Sequence, residues 1–109
     1  MDFFRTKSYE KGLKRLTKLG ASKADLDAIE PMIAANPEAG DVIKGSGGLR
    51  KIRFAYGAAG KSGGGRTIYY VLVGEDQAYL LTAYPKVDKD DLTAGELKLF
   101  KTLIKELLK

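Results

Sequence analysis

Tyr9, Leu13 and Leu16 recur at the spacing of one helix face, with Leu19 close to the same stripe and Gly20 placed as a C-cap, so residues 8–19 read as an amphipathic helix. Asp2 to Thr6 before it reads as a short strand. Ser22 and Asp25 have the spacing of a helix N-cap, and Leu26, Ile29 and Ile33 continue a helical stripe that ends before Asn36-Pro37. Pro31 falls inside that stripe and, lacking an N–H, must kink the helix or split it. From Leu49 the period drops to two: Ile52 and Phe54 alternate with Lys51 and Arg53, which puts the two cations on one strand face and the apolar pair on the other. Arg66 to Val73 is β-branched, aromatic and apolar on both faces, the pattern of a central strand. Gly74 to Gln77 makes a turn and Ala78 to Tyr84 a further strand. Thr93 with Glu96 is a capping box, opening a last helix that carries Leu97, Phe100, Leu103, Ile104 and Leu107. The order β-α-α-β-β-β-α predicts an α+β fold: an antiparallel central sheet with two N-terminal helices and a C-terminal helix.

At 109 residues and 44% hydrophobic content the chain has material for one core, and a single domain over residues 1–109 is expected. Cysteine and histidine are both absent, which removes disulfides, cysteine-ligated metal sites and the side chain most used for proton transfer near neutral pH. Met1 to Arg5 lacks the apolar core of a signal peptide, and the run Ile68 to Val73 is far short of the roughly 18 residues that span a bilayer. A soluble, cytoplasmic protein with no membrane partner is therefore expected.

The net charge of +5 is unevenly placed: residues 1–23 carry +5, residues 24–41 carry −5, residues 42–74 carry +6 and residues 75–109 carry −1. The third block holds no carboxylate at all, which leaves Lys44, Arg50, Lys51, Arg53, Lys61 and Arg66 without a local acidic partner. Gly45-Ser46-Gly47-Gly48 and Gly63-Gly64-Gly65 stand at the entrances to two adjacent strands, where glycine lets backbone N–H groups approach a ligand. Neither matches a phosphate-binding loop or a dinucleotide fingerprint, and a plain hairpin loop is the simpler account. Antiparallel pairing through residues 57–65 brings Lys51, Arg53 and Arg66 together, while Tyr84 and Lys86 share a parity further on, with Lys89 beyond. A solvated strand face and a packing tyrosine are the bland alternatives; the missing acid partner favours an anion-binding surface, the RNA backbone above all. Asp88, Asp90 and Asp91 interleave with Lys86 and Lys89 as a polar loop and helix start rather than a metal site, and no cofactor is expected.

The runs Asn36-Pro37-Glu38-Ala39-Gly40-Asp41-Val42-Ile43, Gly47-Gly48-Leu49-Arg50-Lys51-Ile52-Arg53, Gly60-Lys61-Ser62-Gly63-Gly64 with Arg66-Thr67-Ile68-Tyr69-Tyr70, and Tyr84-Pro85-Lys86 with Lys89-Asp90-Asp91-Leu92-Thr93 strongly resemble HigB-like toxins of the RelE/ParE superfamily. The match covers about residues 36–93. It departs from the family pattern at Pro85 and Val87, where alanine and asparagine are expected, and at Phe54, where tryptophan is. The resemblance implies the toxin of a type II toxin–antitoxin system: a ribosome-dependent mRNA endoribonuclease, or mRNA interferase, that inhibits translation. Its partners would be mRNA on the ribosome and a cognate antitoxin with a helix-turn-helix DNA-binding domain. The expected catalytic residues are Arg66, Tyr84, Lys86 and Lys51, and the expected RNA-binding residues are Arg50, Arg53, Lys61, Lys44 and Lys89. The alternative is a non-catalytic RNA- or ribosome-binding module, or a partner-binding protein, that uses the same basic face.

RNA brings its own nucleophile, the 2′-hydroxyl, so such an enzyme needs only a base, positive charge on the phosphate and an acid for the leaving 5′-oxygen, without a metal. Arg66 suits the charge because its guanidinium forks onto two phosphate oxygens. Tyrosine ionises near pH 10, roughly three units too high for an efficient base. Neighbouring cations are expected to lower Tyr84 and to make Lys86 or Lys51 the better proton donor.

Overall fold

A computed structural model of the chain describes residues 1–58 and 63–109. Strand β1 (Asp2–Arg5) leads into helix α1 (Lys7–Lys18), whose N-terminus is capped by the Thr6 hydroxyl accepting from the Tyr9 N–H. The helix ends with Gly20 at φ +106°, and the Gly20 and Ala21 N–H groups donate back to Thr17 and Leu16. The second predicted helix is two short ones, α2 (Lys23–Asp27) and α3 (Ile29–Ala35). Pro31 resolves the expected conflict by sitting in the first turn of α3, where its missing N–H would have had no intrahelical partner. Ser22 and Asp25 form the full capping box of α2. Strands β2 (Asp41–Val42), β3 (Arg50–Phe54), β4 (Gly65–Leu72) and β5 (Gln77–Pro85) follow, and α4 (Ala94–Leu107) closes the order behind the Thr93–Glu96 capping box.

The sheet order is β1-β5-β4-β3-β2. The three strands predicted around residues 49–54, 66–73 and 78–84 lie side by side and antiparallel, and β1 adds to β5 in parallel. The two-residue β2 was not anticipated; it pairs with β3 through Asp41 and Lys51. One face of the sheet is covered by α1, α2 and α3, with Tyr9, Leu16, Ile29 and Ile33 packed against Ile52, Phe54, Tyr69 and Leu80. Gly12 lets α1 come close to β5, since a Cβ there would lie 1.9 Å from the Ala83 carbonyl oxygen. On the other face Phe100 and Ile104 of α4 pack with Leu49, Ile68, Leu81 and Tyr84. That helix covers only part of its face and leaves the ends of β3, β4 and β5 nearest Arg53, Arg66 and Tyr84 to the loop that precedes it.

Candidate nucleic-acid interface

Strand pairing decides which cations meet. Arg53 is opposite Arg66, and Arg66 is opposite Tyr84, so the three stand in a row on one face; Lys51, two residues before Arg53, shares that face. Two arginines directly opposite each other repel unless an anion intervenes. The anions come from the β5–α4 loop. Asp90 receives Arg66 Nε at 3.0 Å, and Asp91 pairs with Lys51 Nζ, which also donates to the Asp90 carbonyl at 3.2 Å. Asp88 takes a bidentate fork from Arg15 of α1 at 2.9 and 3.1 Å. Lys89 pairs with Glu96 of α4 while its ammonium lies 4.8 Å from the centre of the Tyr84 ring.

Arg66 is 1% exposed and also donates to the Gly65 carbonyl at 3.0 Å. The carboxylates missing from its neighbourhood in sequence are thus supplied from 24 residues away, and for Lys51 from 40. Burial pushes the Asp90 carboxyl up, but Lys51 and Arg66 together outweigh it and hold it below the usual carboxylate range. Tyr84 runs against expectation. Its hydroxyl is buried, donates to the Asp90 carbonyl at 3.1 Å, and has its pKa raised: desolvation acts first and the Asp91 and Asp90 charges add to it, outweighing Arg66. The expected lowering assumed a purely cationic neighbourhood, and the loop aspartates reverse it.

Of the remaining expected site residues, Arg53 and Lys86 are exposed, with no ion pair among the described residues. Lys61 lies outside the described residues. Arg50 does not join the cluster. Its guanidinium fastens the segment after α3 by donating to the carbonyls of Glu38 and Gly40, at 3.2 and 2.8 Å. Tyr69 holds the same segment from the core side, accepting from the Gly40 N–H and donating to the Pro37 carbonyl, both at 2.9 Å. Lys44 is exposed in the β2–β3 turn, at the opposite end of β3 from Arg53. Ser46 shapes that glycine turn by bonding Ile43 and Leu49. A cavity of about 420 Å³ opens at this end of the sheet beside Met1, Pro37, Gly48 and Arg50 and contains none of the Arg66 cluster.

Asp88, Asp90 and Asp91 are the residues that sequence reasoning undervalued. Their alternation with lysine read as a solvated loop, whereas each takes a different cation. The signal was present as a surplus of carboxylate in this segment facing a surplus of cation in residues 42–74.

The family model for the RelE toxin of the RelE / RelB toxin–antitoxin system matches residues 1–109. Among solved structures, the isolated E. coli RelE toxin is 18% identical, with a TM-score of 0.53 over 94% of this chain and 97% of that one. A double arginine-to-alanine variant of E. coli RelE in the free state is 17% identical, with a TM-score of 0.52 over 81% of this chain and 85% of that one. At such identities the likeness speaks for the shared α+β fold, and the family match over the whole length carries the identity: this chain belongs to the RelE toxin family of toxin–antitoxin systems.

Proposed function

We propose that the chain is a ribosome-dependent mRNA endoribonuclease of the HigB-like kind, neutralised by a cognate antitoxin that carries a helix-turn-helix DNA-binding domain. The observation that carries this reading is the convergence of Lys51, Arg53 and Arg66 with Tyr84 on one sheet face at the mouth of two loops, with Lys86 exposed at its rim. In the reaction the 2′-oxygen attacks the adjacent phosphorus and its proton passes to a base. The 5′-oxygen leaves with a proton from an acid, giving a 2′,3′-cyclic phosphate and a free 5′-hydroxyl. Arg66 offers its fork to the phosphate oxygens as negative charge builds. Tyr84 keeps its proton at neutral pH with the loop in place, which rules it out as the base in that state; Tyr84, Lys86 and Lys51 are the groups at hand for the two proton transfers. A protein with no histidine is then a weak nuclease alone and depends on the ribosome to align the message.

The burial of Arg66 favours a second reading, a non-catalytic module that binds RNA through Arg53, Lys86 and Lys89 alone. Induced expression separates the two. The nuclease arrests growth and yields mapped message ends within translated codons; Arg66→Ala and Arg66→Lys both lose cleavage by about 100-fold or more, the second because a point charge cannot replace the fork. A thermal melt of each variant checks that the fold is retained. Full toxicity and normal cleavage in both folded variants would remove Arg66 from the mechanism, and RNA binding without cleavage in the wild type would leave the module.

A further inference from the structure

The segment from Lys86 to Thr93 is fixed at both ends. Lys86 N–H donates to Gly64 at 2.9 Å, and Thr93 caps α4 while Leu92 is partly buried against the second core cluster. Between those ends its attachments are mostly side chains. Among the described residues, the backbone-to-backbone bond inside it is Asp88 N–H to the Pro85 carbonyl, at 3.0 Å. Among the described residues the other attachments between those ends are charge or side-chain donation: Asp88 to Arg15, Asp90 to Arg66, Asp91 to Lys51, Lys89 to Glu96 and the Tyr84 ring, and the Asp90 carbonyl accepting from both Tyr84 and Lys51. Val87 at its tip is 73% exposed, so burial of that side chain does little to hold the loop. A loop held this way opens at lower cost than one stitched into the sheet.

With the loop down, Arg66 cannot reach a substrate. An unpaired buried guanidinium is strongly disfavoured, so the arginine needs an anion at every stage. A carboxylate and a phosphate present the same kind of oxygen pair to it. We propose that Asp90 and Asp91 are positioning residues whose carboxylates stand in the place of an RNA phosphate, hold Arg66 and Lys51 set, and give way to the RNA as the β5–α4 loop lifts. Anion replaces anion, so the cations are never left bare. Lifting the loop also takes both negative charges away from Tyr84, where they add to the desolvation that raises its pKa. The site is thereby coupled to substrate: closed, Arg66 and Lys51 are paired with carboxylates; open, they are presented to RNA. This rests on the RNA-binding part of the function proposed above.

The test is binding of a short fluorescent single-stranded RNA, without ribosomes, followed by anisotropy. Asp90→Asn/Asp91→Asn removes one carboxylate each from Arg66 and Lys51 and tightens binding by about tenfold near 0.1 M salt, with a steeper salt dependence. Asp27→Asn/Glu106→Gln makes the same change in net charge at exposed carboxylates far from the loop and tightens it by less than about threefold. A merely structural role for Asp90 and Asp91 gives no gain. If the double variant loses its cooperative melt, Asp91→Asn decides alone, since Asp91 is 79% exposed and its loss leaves Arg66 paired; about threefold tighter binding is then expected. Equal gains in the loop and control variants, or no gain in a folded loop variant, overturn the proposal. Cleavage of ribosome-bound message by the wild type is scored separately: its absence counts against the nuclease reading and leaves the exchange of carboxylate for phosphate standing.

Discussion

At the residue scale the buried tyrosines respond to pH in a direction set by their surroundings. Tyr9 is fully buried on the core face of α1, and desolvation raises its pKa to about 12 although the Arg5 guanidinium, 5.7 Å from the ring centre, works the other way. Tyr84 is raised as well. A raised pKa in the folded state means that stability is intact below the ordinary tyrosine value and is lost as pH climbs toward the folded value. Unfolding free energy should therefore be flat through pH 9 and fall above about pH 10. The Tyr9 hydroxyl is close to that of Thr67, yet both are buried without a hydrogen bond of good geometry. Tyr9→Phe should accordingly leave stability at pH 7 unchanged or raise it by up to about 1 kcal/mol, and reduce the alkaline loss. Urea titrations at pH 7 and pH 10.5 measure both effects; a large loss at pH 7 would mean that the hydroxyl has a partner of real value.

At the scale of elements, α1 approaches β5 closely at Gly12. A methyl group at Gly12 would overlap the Ala83 carbonyl, and backbone cannot step aside as a flexible side chain can. Gly12→Ala should cost about 3 kcal/mol by levering the helix off the sheet. Gly95→Ala, in the first turn of α4 with its nearest foreign atom 4.0 Å from the new Cβ, should instead stabilise by up to about 1 kcal/mol. Urea midpoints compare the two. The same scale explains what could be read from sequence. The N-cap at Ser22, the Thr93–Glu96 capping box, the C-terminal glycine of α1 and the three antiparallel strands were legible because each is written within a few consecutive residues. The split at Ala28, the short β2 and the parallel pairing of β1 were not, because they depend on what the chain meets after it has turned back. The candidate site divides likewise. The shared face of Lys51, Arg53 and Arg66 follows from strand parity, but the aspartates that pair with them do not, and Arg50 has the same cationic pattern as its neighbours while serving to hold the Glu38–Gly40 carbonyls.

At the scale of the whole molecule, the net charge of +5 is what 19 Lys and Arg leave over 14 Asp and Glu, and some of those cations are already paired while others are still available. Lys7, Lys11, Lys14 and Lys18 line the exposed side of α1 without ion pairs among the described residues and give any polyanion a non-specific hold. Affinity for RNA or ribosomes should therefore fall with salt, and the interface should be visible as a change of slope on top of that background. Each phosphate contact contributes about 0.7 to the log–log slope for a single strand. Arg53 is exposed and has no ion pair among the described residues, so Arg53→Ala should remove close to that full amount. Lys51 must first give up Asp91, and an ion pair exchanged for an ion pair releases fewer counterions. Lys51→Ala should therefore lower the affinity but reduce the slope by less than Arg53→Ala does. Lys11→Ala, on the far side of α1 from its core-facing residues, supplies the comparison for a general loss of charge. Titrations of a short RNA between 50 and 300 mM salt measure all three slopes. A slope for Arg53→Ala equal to that of the wild type would mean that the row of cations on β3 and β4 is a solvated surface, whatever the chemistry of Arg66 beneath it.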